Sequence, residues 1–169
     1  MKTLCSLNAF QKASRYLITH SKASILIPIL HVVCKKEENY ETYLDSLPNG
    51  TLGKATAQLL HKHQLHLIPN YESHDFKHVL LNYEMTPEDE VRMQFFMLGN
   101  GNYSFTCLAF LPFGLLLPEL WKDFYTHYQW GKQTQPIHQI NFKELAHRNV
   151  EELRNEWNLF AHRSQASDF

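Results

Sequence analysis

Along most of the chain the apolar residues recur at steps of three and four, the period of a helix buried on one face. In residues 4–18 the face is Leu4, Leu7, Phe10, Ser14, Leu17 and Ile18. "ILIPILHVV" carries it on across Pro28, whose ring removes a backbone donor, so the helix kinks or restarts there. Tyr40, Tyr43, Leu44 and Leu47 predict a short helix, closed by the turn signal "PNG" at Pro48 to Gly50. Leu52, Ala55, Leu59 and Leu60 predict a helix over 51–67, broken by "IPN" at 68–70. The next spans about 72–83 and turns Phe76, Val79, Leu80 and Tyr83 to a core. "TPED" is a clear helix start, with Thr86 as N-cap, Pro87 in the first helical position and Asp89 closing a capping box. That helix runs to Leu98 and stops at "GNGN". An apolar run over 105–120 is interrupted by Pro112, Gly114 and Pro118. Helical pattern resumes to Gly131, yields to a polar linker, and returns over 142–160. No stretch alternates with a period of two, so the expected fold is all-α, a single-domain helical bundle over residues 1–169.

Composition narrows the function classes more than the fold. The 169 residues are 44 % hydrophobic and 20 % charged, as in an ordinary globular protein of one domain. The net charge of −1 offers no basic field for nucleic acid. Cys5, Cys34 and Cys107 are odd in number and far apart, which argues against a disulfide framework and for a reducing compartment. The N-terminal stretch is too polar for a signal peptide. The apolar run 105–120 is shorter than the roughly 20 residues of a spanning helix, so it reads as core, a bent helix or a surface that touches lipid. The expected location is therefore cytoplasmic, or peripheral on the inner face of a membrane.

Candidate chemistry centres on "SHDFKH". Histidines four apart on a helix project side by side, the arrangement by which one helix gives a metal two imidazoles. Asp75 flanks the same face, either as a ligand or as a neighbour that orients an imidazole. A short connection joins this helix to the next, so His78 and Glu90 stand roughly 8 and 5 Å from the turn at about 1.5 Å per residue. Two imidazoles and one or two carboxylates with an open position suit Zn²⁺ or Fe²⁺. The chain has 11 histidines, and spacing alone leaves both a metal site and a histidine-rich surface open.

"HDFKHVLLNYEMTPEDE", His74 to Glu90, has the form H-D-x-x-H-x11-E. In this it resembles the coenzyme Q (ubiquinone) biosynthesis protein COQ4 family. "NGTLGKATAQLL", "YTHYQWGKQ" and "FKELAHRNVEELRNEW" are similar to further parts of that family, so the resemblance runs from about Leu47 to Trp157. It divides the chain into N-terminal helices, 1–46, and a family-like core, 47–160, with the metal hairpin at 72–98. It implies that His74, Asp75, His78 and Glu90 are the metal ligands, with Zn²⁺ ahead of Fe²⁺. It further implies an isoprenoid-lipid cavity, contact with a membrane surface and with other quinone-biosynthesis proteins, and a homodimer. The implied activity is oxidative decarboxylation at C1 of a prenylated hydroxybenzoate, replacing carboxylate by hydroxyl; the alternative is a non-catalytic scaffold that binds an isoprenoid lipid and organises the pathway's enzymes. The short length and the absence of a mitochondrial presequence fit a bacterial member.

Other positions take plainer readings. "HKHQLH", 61–66, reads as a solvated helix end, because His61 and His63 point to different faces. Met93 and Met97 suit core filling or the lining of a lipid-tail pocket, which Phe110 and Phe113 would extend. No residue is assigned as catalytic.

Overall fold

The computed structural model describes residues 38–68 and 71–160. The N-terminal helices expected over 4–18 and around Pro28, with Cys5 and Cys34, lie outside the described residues. Within them the chain forms seven α-helices and no named strand: α1 Glu38–Ser46, α2 Leu52–Lys62, α3 Glu72–Leu81, α4 Pro87–Gly99, α5 Phe105–Leu115, α6 Trp121–Gln133 and α7 Val150–Glu156. Short 3₁₀ turns stand at Pro118–Leu120 and Phe142–Leu145. The all-α expectation holds.

Two helices are shorter than their periodicity suggests, for local reasons. α2 ends at Lys62, five residues early. Gln64 takes a left-handed φ of 55°; its N–H reaches the carbonyl of His61, and that of Leu65 reaches Leu60 at 2.9 Å. This is a Schellman termination made without glycine, so the sequence carries no obvious stop signal. The final helix is the other case. Residues 146–149 leave helical geometry and lie against the start of α2, where Leu52 donates to the carbonyl of Arg148 and Gly53 to that of Ala146, both at 2.8 Å. Asn149 then restarts the chain as α7 by accepting from the amides of Glu151 and Glu152. These bonds satisfy α2 amides that would otherwise lack partners. A Cβ at Gly53 would fall 2.6 Å from Leu47 Cδ1 and 3.1 Å from the Ala146 carbonyl oxygen.

The helices sort into two packing groups. α3 lies on α2, on the second 3₁₀ turn and on α7, whereas α4 lies on α6 and α5. The α4–α6 contact is close because of two glycines. A Cβ on Gly131 would sit 2.0 Å from the carbonyl oxygen of Phe96, and one on Gly99 would sit 2.1 Å from that of Tyr128. Asn100 fastens the far end of α6, donating to the carbonyls of Gly131, Thr134 and Gln135 and accepting from Ile137 N–H. One buried cluster joins the two groups: Phe76, Leu80 and Leu81 of α3 meet Met93, Phe96 and Met97 of α4 and Trp130 of α6. α5 differs from the rest. Phe105, Leu108 and Leu115 are exposed on it, the first at 87 %. No helix of the described residues is long and apolar enough to cross a membrane.

Candidate metal centre

α3 and α4 follow one another in the chain, yet their backbones pack mainly on other helices. Besides the apolar cluster, polar side chains join them. Asn82 turns the chain out of α3 in left-handed geometry (φ 57°, ψ 49°), and Tyr83 N–H closes on the His78 carbonyl at 2.8 Å. Arg154 of α7 donates to the carbonyls of Val79 and Leu80, satisfying the last turn of α3 with a cation where the helix dipole favours one. Thr86 accepts from Asp89 N–H and starts α4 as expected. The expected reciprocal half of the capping box is replaced: the Asp89 carboxylate accepts from Glu84 N–H instead and pairs with Arg92. Asp89 is thus held toward the connection and α4's own surface, and Glu90 turns inward.

The result brings three candidate ligands, two imidazoles and a carboxylate, to one point. His74 Nε2 lies 2.9 Å from Glu90 Oε1, and His78 Nε2 lies 3.3 Å from Glu90 Oε2. The imidazole rings meet edge to face, 4.8 Å between centroids. His78 and Glu90 are buried, while the His74 side chain keeps 27 % of its surface exposed. One ligand atom from each of the three lies within 4.8 Å of the others, so the group could hold a metal ion. Four ligands about 2.1 Å from a tetrahedral ion are about 3.4 Å apart, close to these separations.

The neighbours are those a ligand shell needs. Asp75 stands outside the three-residue group; its Oδ1 lies 3.2 Å from His74 Nδ1, the nitrogen that faces away from Glu90. Gln94, one turn after Glu90 and buried, donates to Glu90 Oε1 at 2.8 Å. Sequence reading missed Gln94, although its i, i+4 spacing from Glu90 would have found it. Burial alone would lower the pKa of His74, but Glu90 and Asp75 outweigh it and raise the value to about 10. The pocket is therefore an anionic one that favours a cation between its carboxylates. His78 Nδ1, the ring nitrogen not paired with Glu90, is buried and lacks a hydrogen-bond partner. By donor type, spacing and charge, these residues fit a divalent transition metal.

The residues expected to line a lipid tail are divided. Met93 and Met97 are fully buried in the core cluster, and the side chains of Phe110 and Phe113 lie outside the described residues. Cys107 is buried, its thiol pushed up to about 11 chiefly by that burial.

The described residues are all-helical, and among them His74, His78 and Glu90 form a group that could hold a metal ion. Comparison narrows this. Residues 68–162, more than half of the chain, match the family "Coenzyme Q (ubiquinone) biosynthesis protein Coq4", and the chain belongs to that family. Membership supports a role in ubiquinone biosynthesis. No curated protein sequence matches the chain. Among solved structures, a crystal structure from Nostoc punctiforme PCC 73102 of a protein assigned to ubiquinone biosynthesis is similar, with a TM-score of 0.56 and 20 % identity over 90 % of this chain and 82 % of that one. At that identity the likeness concerns the fold.

Proposed function

We propose that this protein acts in ubiquinone biosynthesis on a prenylated aromatic acid, through a divalent ion held by His74, His78 and Glu90. The observation that carries the reading is the meeting of two imidazole nitrogens with the two oxygens of one buried carboxylate, 2.9 and 3.3 Å away. Zn²⁺ is the first choice for this donor set, with Fe²⁺ as the alternative. When bound, the ion supplies a Lewis acid that neutralises the phenolic and carboxylate oxygens of the ring.

The remaining work belongs to the chain's residues. Asp75 accepts the Nδ1–H of His74 and so fixes the tautomer whose Nε2 carries the lone pair. Gln94 keeps the Glu90 carboxylate from rotating away. Burial of His78 and Glu90 closes the inner side to water, and substrate approaches from the partly exposed His74 side. In the proposed reaction the C1 carboxylate leaves as carbon dioxide. One atom of dioxygen becomes the new hydroxyl; the other leaves as water with two electrons and two protons from an external reductant.

The exposed apolar residues of α5 support a second reading, a non-catalytic scaffold that holds an isoprenoid lipid at a membrane surface beside other quinone-biosynthesis proteins. Phe105 and Leu115 would face the lipid, and the protein would be cytoplasmic and peripheral on the inner membrane face, as a homodimer. Both readings share the metal. The test is elemental analysis of purified protein beside Glu90→Ala, followed by an assay for carbon dioxide release from a prenylated hydroxybenzoate. About one equivalent of metal, lost in the variant together with release, supports the enzyme. Metal without release supports the scaffold, and metal equal in both proteins overturns the assignment of Glu90.

A further inference from the structure

α3 carries a cation beside the two histidines. Lys77 stands one turn after His74 and directly before His78, so the three side chains leave the helix within about 100° of one another. Lys77 is partly buried, and its Nζ lies over the ring of Phe142, 5.7 Å from the centroid. The titratable group whose charge bears on it is the Cys107 thiol of α5. Cys107 in turn donates to the carbonyl of Gln94, whose side chain holds Glu90. Lys77 therefore sits where the edge of the centre meets α5 and the second 3₁₀ turn.

The carboxylates of its own helix and of the facing one have other partners. Asp75 faces His74, Glu90 faces both imidazoles, and Glu72 pairs with Lys143 at 2.7 Å. Among the described residues Lys77 thus has a ring face and a thiol for neighbours and no carboxylate. Lys54, Lys62 and Lys143, by contrast, each pair with one. A partly buried ammonium without an anion is costly, because burial takes water from it and no protein group replaces that water. The centre has the opposite excess. Asp75 and Glu90 make its rim anionic and repel a carboxylate that approaches from the His74 side, and a cation beside the histidines offsets this. We propose, on the reading that the centre takes a prenylated aromatic acid, that Lys77 binds the carboxylate of that acid. Lys77 is then the residue that selects the acid over the phenol that lacks it, through a charge-assisted hydrogen bond made against the apolar face of Phe142.

The test is calorimetric binding of two ligands to the full chain: a prenylated 4-hydroxybenzoate, and the prenylated phenol that differs only in lacking the carboxylate. The unaltered protein should favour the acid about tenfold or more, the scale of a hydrogen bond to a charged group. Lys77→Met keeps the apolar stem; it should lose that preference while binding the phenol and the metal as before. Lys77→Arg keeps the charge and should retain most of the preference. An undiminished preference in Lys77→Met overturns the role of Lys77 and leaves the proposed function standing. So does an unaltered protein that binds acid and phenol equally. Binding of neither ligand overturns both. Inorganic phosphate that displaces the acid more effectively than benzoate does overturns the carboxylate assignment in favour of a phosphate. A preference that depends on Lys77, found without release of carbon dioxide, upholds Lys77 and overturns only the enzymatic reading.

Discussion

At the scale of single residues, the hairpin centre depends on what each ligand's far side touches. The far nitrogen of His74 meets Asp75 at 3.2 Å, so Asp75→Asn keeps the shape and loses the charge that orients the ring. Metal affinity should fall about 10–100-fold, the usual cost of losing such a partner, while the helix content stays unchanged; competition with a zinc indicator measures it. Removal of Glu90 takes away the one group that touches both imidazoles, and Glu90→Ala should lose the metal entirely. A second residue-scale case is Asp123. Burial would raise its pKa, but hydrogen bonds from His127 and Arg92 outweigh this and bring the carboxyl down to about 2. A carboxyl depressed on folding contributes stability that is present above its ordinary value of 3.8 and lost as pH falls through about 2. Arg92→Leu should therefore narrow the difference in Tm between pH 5 and pH 2.5, read by thermal melts at the two values.

At the scale of elements, the decisive contacts are close approaches and end groups. The carbonyl of Phe96 occupies the place of a side chain at Gly131, so Gly131→Ala must push α4 from α6. A loss of about 1–3 kcal/mol or more is expected from such overpacking, visible as a lower denaturant midpoint. Arg154 caps the last carbonyls of α3 from α7, and Arg154→Ala should cost about 1.5–3 kcal/mol, the scale of hydrogen bonds to a charged group. Elements also show how far the sequence could be read. Thr86 and Pro87 started α4 where expected, because a cap and a proline act through their immediate neighbours. The ends of α2 and of the last helical stretch were misread. Gln64 adopts a glycine-like conformation without being glycine, and 146–149 leave the helix to serve amides of α2 far away in the chain. Local pattern carries no record of either. His74, His78 and Glu90 were legible because helical spacing and a short connection fix their approach. The approach of His66 to Glu41 was not, since it follows the turn at Gln64.

At the scale of the whole molecule, the hairpin centre lies at the seam between the two packing groups. An ion bound there would fasten α3, in one group, to α4, in the other. Binding to the native state alone stabilises it by about 2.7 kcal/mol at a hundredfold excess over Kd. Chelator should therefore lower the Tm of the unaltered protein, and should leave that of Glu90→Ala unchanged. The exposed face of α5 belongs to this scale too. Replacement of Phe105 and Leu115 by serine should reduce sedimentation with anionic lipid vesicles severalfold, with no change in metal content, because neither side chain lies at a ligand.

The strap at 146–149 ties the order of synthesis to the order of folding. Leu52 and Gly53 find their acceptors only when the carbonyls of Ala146 and Arg148 have left the ribosome, so most of the polypeptide must be made before α2 is secured at its first turn. Until then α3 also lacks the arginine that closes its end. A chain truncated near residue 140 should show rapid hydrogen exchange at Leu52 and Gly53, and the released full chain should protect both.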